Sequence, residues 1–222
     1  MRLRTPAVLA TTAALALGAT ACGSDDTSTS PASGSSGSSQ PEPVAQVDRL
    51  TGRSTAVTLD AGFVDALTQL KLTPSPVGDA TISSQGVASF PITGGTVKYF
   101  EPGTVSPFVQ GEIDHDGSGL QLEGGGKTVQ LTDFVVDPGA SVLTGKVTVD
   151  GEKAAASAPL FFLDGRTLEP LKTEPNGTAV LEGTTVKFKD ESAQLLNETF
   201  GVDALKGGLE VGVAKITVNT GS

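Results

Sequence analysis

The chain has 222 residues and a formal charge of −10, with one Cys, one His, one Tyr and no Trp. A single Cys permits no intrachain disulfide and, with a single His, no Cys/His zinc cluster. An acidic chain repels phosphate, so the composition also disfavours nucleic acid as a partner.

Residues 1–21 have the pattern of an export signal. Two Arg residues precede an apolar run, Pro6 to Ala21, that is too short to span a bilayer comfortably. The run ends Ala-Thr-Ala-Cys, which resembles the lipobox of bacterial lipoproteins, although Ala19 stands where the family more often has Leu. The resemblance implies that Cys22 is acylated and becomes the new amino terminus. The alternative is a plain secreted protein.

Residues 22–43 are rich in Ser, Gly, Thr, Asp and Pro, which is typical of a disordered tether. A flexible segment of this length spans roughly 25 Å. Loss of the signal segment removes two Arg and changes the charge from −10 to −12. Because an anionic bilayer repels such a domain, we expect the lipid anchor to hold it at the outer face of the cytoplasmic membrane, in the cell envelope.

Residues 44–222 are predicted to form one mainly β domain, an antiparallel β-sandwich or a barrel-like fold with two short helices. Gly, Pro and Asp separate short runs of β-branched and aromatic residues, and Asp60 and Asp190 are placed to cap the helices. Tight turns are expected at Gly124–Gly126 and Asp150-Gly151. The predicted strands are 54–59, 86–93, 96–100, 108–115, 128–136, 141–149, 160–163, 178–188 and 209–218.

The pattern argues against an enzyme, and no catalytic residue is assigned. A Ser-His-Asp site would have to use His115, yet no Gly-x-Ser-x-Gly elbow is present. Sugar-cleaving sites usually offer aromatic faces, and Trp is absent.

The most polar constellation of the domain is Asp114-His115-Asp116-Gly117-Ser118-Gly119. It is similar to the start of a calcium loop but lacks the third acid and the distant Glu, so Asp114 and Asp116 are only weak metal candidates. The pattern favours a strand end followed by an Asp-Gly turn, with the His115 ring bonded to the backbone or to Asp116.

Three segments, 88–95, 111–120 and 129–138, resemble the core of HtaA-type domains, which are β-rich envelope modules of actinobacteria. Several members bind haem, so the resemblance implies haem as an alternative cofactor. His115 matches the family's His, whereas 57–72 lacks the Tyr that the family pattern uses as haem ligand. Tyr99 is then the only phenol that can serve as an axial ligand.

Two functions follow from the sequence. The first is a lipid-anchored, non-catalytic surface module without a cofactor, which binds an unknown envelope protein or small ligand or scaffolds the envelope. The alternative is a haem- or metal-binding HtaA-like lipoprotein that uses Tyr99 and His115.

Overall fold

A computed structural model describes residues 41–220. The predicted signal peptide, Cys22 and most of the predicted tether lie outside the described residues. The domain is mainly β and barrel-like, with two α-helices, as predicted. The strands are β1 Ala45–Val47, β2 Arg53–Leu59, β3 Thr73–Gly78, β4 Thr81–Ile82, β5 Val87–Pro91, β6 Gly94–Tyr99, β7 Val109–Gly124, β8 Lys127–Asp137, β9 Val142–Val149, β10 Glu152–Asp164, β11 Lys172–Glu174, β12 Thr178–Phe188 and β13 Glu210–Asn219. The helices are α1 Ala61–Gln69, the 3-10 turn Gly165–Thr167, and α2 Asp190–Phe200.

All strands belong to one antiparallel sheet that curls into a half-barrel. The strand order is β1-β6-β7-β8-β9-β10-β12-β13-β2-β5-β4, with β3 paired to β7 and β11 paired to β12. β5 and β6 lie near opposite ends of this order, yet only Ile92 and Thr93 separate them in the chain. The chain therefore draws the two ends of the sheet towards each other, which is why the sheet curls.

The half-barrel has two different ends. The connections from β6 to β7, from β8 to β9 and from β10 to β12 leave at one end, which we call the open end. The first residue of β1 pairs with Tyr99 and the last of β13 with Thr178, so both lie there as well. The opposite end, called the helix end, carries the tight turns Gly125-Gly126 and Asp150-Gly151 together with α1 and α2.

The helix end is packed with apolar side chains. Asp60 caps α1, since its carboxylate accepts a hydrogen bond from the Phe63 amide at 3.1 Å. Phe63 is buried and its ring centroid lies 5.9 Å from that of Phe188. α2 was predicted with Asp190 as its cap; the cap residue is instead Lys189, and Asp190 is the first helical residue. A carboxylate in the first turn still interacts favourably with the helix dipole.

Two local predictions were wrong. The segment 114–119 is no strand end: β7 continues through it, with a bulge between His115 and Gly119 where its register against β8 shifts. Leu160–Leu163 was expected to be buried on both sides; Leu160, Phe161 and Leu163 are buried, but Phe162 is 44% exposed.

Candidate ligand-binding cavity

The inner face of the half-barrel encloses a cavity of about 900 Å³. Pockets for small ligands usually measure about 300–1,000 Å³, so this one is near the upper limit. Its wall is predominantly apolar, because alternate residues of the strands project inward. Representative wall residues are Val57, Phe90, Ile113, Phe134, Leu143 and Ala214.

Connections at the open end supply the other wall residues. Ser106, Pro107 and Phe108 come from the β6–β7 connection, and Ser141 comes from the β8–β9 connection. Within residues 41–220, neither tight turn at the helix end contributes to the wall. The cavity therefore opens at the open end and not at the helix end.

His115 forms a hydrogen bond across the cavity. It lies on β7 and is 2% exposed. Its Nε2 is 2.8 Å from the hydroxyl of Thr55 on β2, a strand that does not pair with β7, and its Nδ1 is 3.3 Å from the Phe134 carbonyl. A carbonyl oxygen only accepts, so Nδ1 carries the hydrogen and, in the neutral ring, Nε2 accepts from the hydroxyl. Both ring nitrogens are thus occupied by protein partners.

An aromatic contact lies beside this hydrogen bond. Phe134 pairs with His115 in the β7–β8 register, and Phe90 pairs with Thr55 in the β2–β5 register. The rings of Phe90 and Phe134 meet edge to face at 5.2 Å. Two contacts therefore join the facing walls: the hydrogen bond between His115 and Thr55, and the aromatic contact between Phe90 and Phe134. We call these four residues the cross-barrel bridge.

Burial also governs the charge of His115. Desolvation lowers the pKa of the imidazole from 6.5 to about 4, against smaller opposing effects from backbone hydrogen bonds and the Asp116 carboxylate. His115 is consequently neutral at physiological pH. The predicted hydrogen bond to the backbone is present, and Thr55 takes the place that was expected for Asp116.

Tyr99 lies at the open end of the same cavity. Its side chain is 6% exposed and packs edge to face against Phe108, with ring centroids 5.8 Å apart. Among residues 41–220 no group hydrogen-bonds its hydroxyl. Because the side chain lines the cavity, a ligand bound there would contact Tyr99.

The structure places both predicted ligand-binding residues on one cavity wall but keeps them apart. Tyr99 pairs with Val109, and His115 follows six residues later on β7. At about 3.4 Å per residue the two positions are separated by roughly 20 Å along the strand. Metal–nitrogen and metal–oxygen bonds are about 2 Å long. Tyr99 and His115 therefore cannot hold the same metal ion from opposite sides.

Asp114 and Asp116 do not belong to the cavity. Ile113 and His115 project into it, so the Asp114 side chain between them lies on the outer face. Burial and the nearby Asp116 carboxylate raise the pKa of Asp114. In residues 41–220 no three His, Cys, Asp or Glu side chains cluster as a metal site would require. Asp116 instead contacts the Thr93 hydroxyl.

The sequence did not reveal an ionic cluster that joins β10 to β12. The Asp164 carboxylate accepts hydrogen bonds from the Arg166 guanidinium at 2.6 Å and from the Lys187 ammonium at 2.9 Å. These hydrogen bonds hold the pKa of Asp164 far below its usual range. Asp164 and Arg166 also line the cavity. Lys187 lies 23 residues away in the chain, so no local pattern could indicate the cluster.

Comparison with solved structures shows a likeness in fold. The fold resembles an HtaA domain. The C-terminal domain of HtaA from Corynebacterium glutamicum superposes with a TM-score of 0.56 at 14% identity, covering 78% of this chain and 99% of that chain. A domain-swapped dimer of a His-to-Ala variant of that domain gives a TM-score of 0.45 at 13% identity, covering 72% and 92%. No family model matches the chain, and no curated protein matches it significantly.

These findings support the predicted HtaA-type resemblance at the level of fold. Among the helices of residues 41–220, none has the length and apolar character needed to cross a bilayer.

Proposed function

We propose that this protein is a lipid-anchored, non-catalytic binding protein of the cell envelope, and that its β-domain holds a small apolar ligand. The observation that carries the proposal is the apolar cavity of about 900 Å³ in the half-barrel. Burial of apolar ligand surface against such a wall supplies the driving force for binding.

The chain offers further support. Its amino-terminal pattern predicts export and acylation at Cys22, and the predicted anchored form carries a charge of −12. The wall side chains of the cavity are mainly apolar, and its single imidazole is occupied by Thr55 and Phe134. The Thr55 hydroxyl donates to His115 Nε2, but desolvation lowers the pKa of this imidazole to about 4, so it is a weak base for activating a hydroxyl.

A fluorescent apolar probe tests ligand binding. The full-length Cys22→Ser chain removes the acyl anchor, and titration with anilinonaphthalene sulfonate should give a saturable rise in emission. Ala214→Phe projects a ring into the cavity from β13 and should abolish the rise, because Ala214 is 4% exposed on its wall. Its neighbour Val213 is 38% exposed on the outer face, so Val213→Phe is the matched control and should bind like the parent.

A second cavity-filling variant, at a less buried position, lowers the risk that the substitution prevents folding. Ile216→Phe also fills the cavity from β13, at a half-buried position. Cooperative thermal unfolding is the check that each variant is folded. Equal probe binding by the parent and by the folded cavity-filling variants would exclude the cavity as the binding site.

Haem is the second candidate ligand, because Tyr99 and His115 both line the cavity. The two positions are too far apart to share one iron. The ring nitrogens of His115 are engaged, whereas the Tyr99 hydroxyl has no partner in the described part of the chain. The residues therefore fit a haem held by Tyr99 alone at the open end, where a phenolate would supply the axial ligand.

Titration with haemin, followed in the Soret region, separates the two candidates. If haem binds, Tyr99→Phe should abolish the shifted band and His115→Ala should leave it largely intact. If the folded full-length Cys22→Ser chain gives no shifted band, haem is excluded as the ligand. The fluorescent-probe titration still tests the binding of other apolar ligands.

A further inference from the structure

The shape of the cavity and the path of the chain together indicate a ligand class. We propose that the ligand is a membrane lipid, whose acyl chains enter the cavity through the open end while that end faces the bilayer. The inference rests on the proposed function, since it presupposes that the cavity binds an apolar ligand.

The cavity is long. Its wall includes both Val211 and Val218 of β13, which are seven residues apart. At about 3.3 Å per residue this wall extends roughly 23 Å along the strand. The hydrocarbon core of a bilayer is about 30 Å thick, so the chains of one leaflet occupy about 15 Å. An acyl chain therefore fits within the length of the wall.

Few charged side chains line the cavity: Asp164, Arg166 and Glu174. Glu174 pairs with Thr178 at the open end, and Asp164 pairs with Thr185, further along β12. The rest of the wall presents apolar and uncharged side chains. This lining fits an amphiphile whose apolar part lies against the wall and whose polar head stays at the open end.

The chain enters the domain at that same end. Ala45 pairs with Tyr99, and Ala45, Gln46 and Val47 all line the cavity. Cys22 precedes Val44 by 22 residues, and the predicted tether spans roughly 25 Å. An acylated Cys22 thus keeps the open end within reach of the bilayer. Acyl chains moving directly from bilayer to cavity avoid the unfavourable exposure of apolar surface to water.

Tryptophan fluorescence tests lipid entry, because the natural chain contains no Trp. Phe161→Trp places a single Trp on the cavity wall, and Phe63→Trp places one in the packed helix end. Each is made in the full-length Cys22→Ser chain, so that no covalently attached acyl chain competes. The probe is a vesicle of phosphatidylcholine with brominated acyl chains, which quench Trp on contact; unbrominated vesicles are the reference.

Brominated vesicles should quench Phe161→Trp more strongly than Phe63→Trp, which lies on the far side of the Phe188 ring, and Ala214→Phe should remove the quenching. Unquenched Phe161→Trp in a protein that still binds anilinonaphthalene sulfonate overturns the lipid proposal and leaves the cavity function standing. Loss of both signals in a folded protein overturns both proposals. Quenching that persists in folded Ala214→Phe, or that is as strong for Phe63→Trp as for Phe161→Trp, shows contact outside the cavity and overturns the lipid proposal.

The orientation has its own test, in the full chain with Cys22 intact and reconstituted into brominated vesicles. Ala140→Trp lies in the β8–β9 connection at the open end, and Glu152→Trp lies at the helix end; both positions are exposed. Quenching should be greater for Ala140→Trp. Equal quenching, or greater quenching for Glu152→Trp, refutes an open end that faces the membrane.

Discussion

His115 is a buried base that is neutral in the folded protein, and its titration links stability to pH. Its pKa is about 4 when folded, against an ordinary value of 6.5. Between these values the unfolded chain binds a proton that the folded chain does not, so the free energy of unfolding falls as the pH falls through this window. We expect a loss on the order of 3 kcal/mol between pH 7 and pH 4, measured by urea unfolding.

The control is His115→Gln, which does not titrate. The pKa of Asp164 is lowered, so its stabilisation begins to fall as the pH approaches 3.8, but it does so equally in both proteins. The pKa of Asp114 is raised, so it acts in the opposite sense, but it does so equally in both proteins. The difference between the two pH profiles therefore isolates His115. Identical profiles would contradict its assignment as a buried neutral base.

Thr55 is the other polar member of the cross-barrel bridge. Thr55→Val removes the hydroxyl that His115 Nε2 contacts at 2.8 Å and leaves a buried nitrogen without a partner. We expect the free energy of unfolding to drop by about 1–3 kcal/mol. Thr55→Ser keeps the hydroxyl and should recover most of that loss in the same denaturation experiment. If serine is as damaging as valine, the hydrogen bond is not the stabilising contact.

At the scale of elements, β7 shows what a local pattern can and cannot predict. The Asp-Gly signal correctly indicated a glycine in an unusual conformation, since Gly117 has φ of 72°. A hairpin turn and a bulge both use such a glycine. What distinguishes them is pairing: β7 binds β6 before the bulge and β3 after it. Those partners are distant in sequence, so the pattern alone could not reveal the continuous strand.

Other elements were predicted closely. β12 has the predicted bounds of 178–188, and β8 covers the predicted 128–136, because Gly, Pro and Asp mark their ends. Phe162 was misjudged because an apolar run does not reveal which side faces solvent.

Close contact between β6 and β7 depends on glycine. Gly111 has φ of +120°, and a Cβ there would lie 2.0 Å from the Thr96 carbonyl oxygen of β6. Gly111→Ala should therefore separate the strands and cost several kcal/mol, about 4 or more. Gly86 also has positive φ, +75°, but a Cβ added there would meet no atom within 4 Å.

Gly86→Ala is the matched control for this substitution. It should lose only about 1–2 kcal/mol for the unfavourable backbone conformation. Chemical denaturation of both variants measures the difference. A Gly111→Ala protein that is no less stable than Gly86→Ala would show that the strands have room to yield.

At the scale of the whole molecule, the sequence indicated candidate site residues but did not predict the cavity that they line. Tyr99 and His115 were singled out because they are the only residues of their kinds, and both line the cavity. The cavity itself arises from the curvature of a sheet whose strands are far apart in the chain. Thr55 carries no unusual signal, and its contact with His115 spans 60 residues. Such a contact follows from topology and not from a motif.

The predicted anchor concerns the whole molecule because it determines where the domain acts. Labelled palmitate should be incorporated into the natural chain, and Cys22→Ala should abolish the label, since Cys22 is the only thiol. Membrane fractionation should show the same dependence. Labelling that survives the substitution would rule out acylation at Cys22.

The open end also receives the other terminus of the chain. β13 ends at Asn219, and Thr220 lines the cavity. Any affinity tag fused after the last residue begins beside the route that a ligand must take, and it is a potential source of false negatives in binding assays. The Asp150-Gly151 turn lies at the opposite end, so an epitope inserted there would leave that route unobstructed.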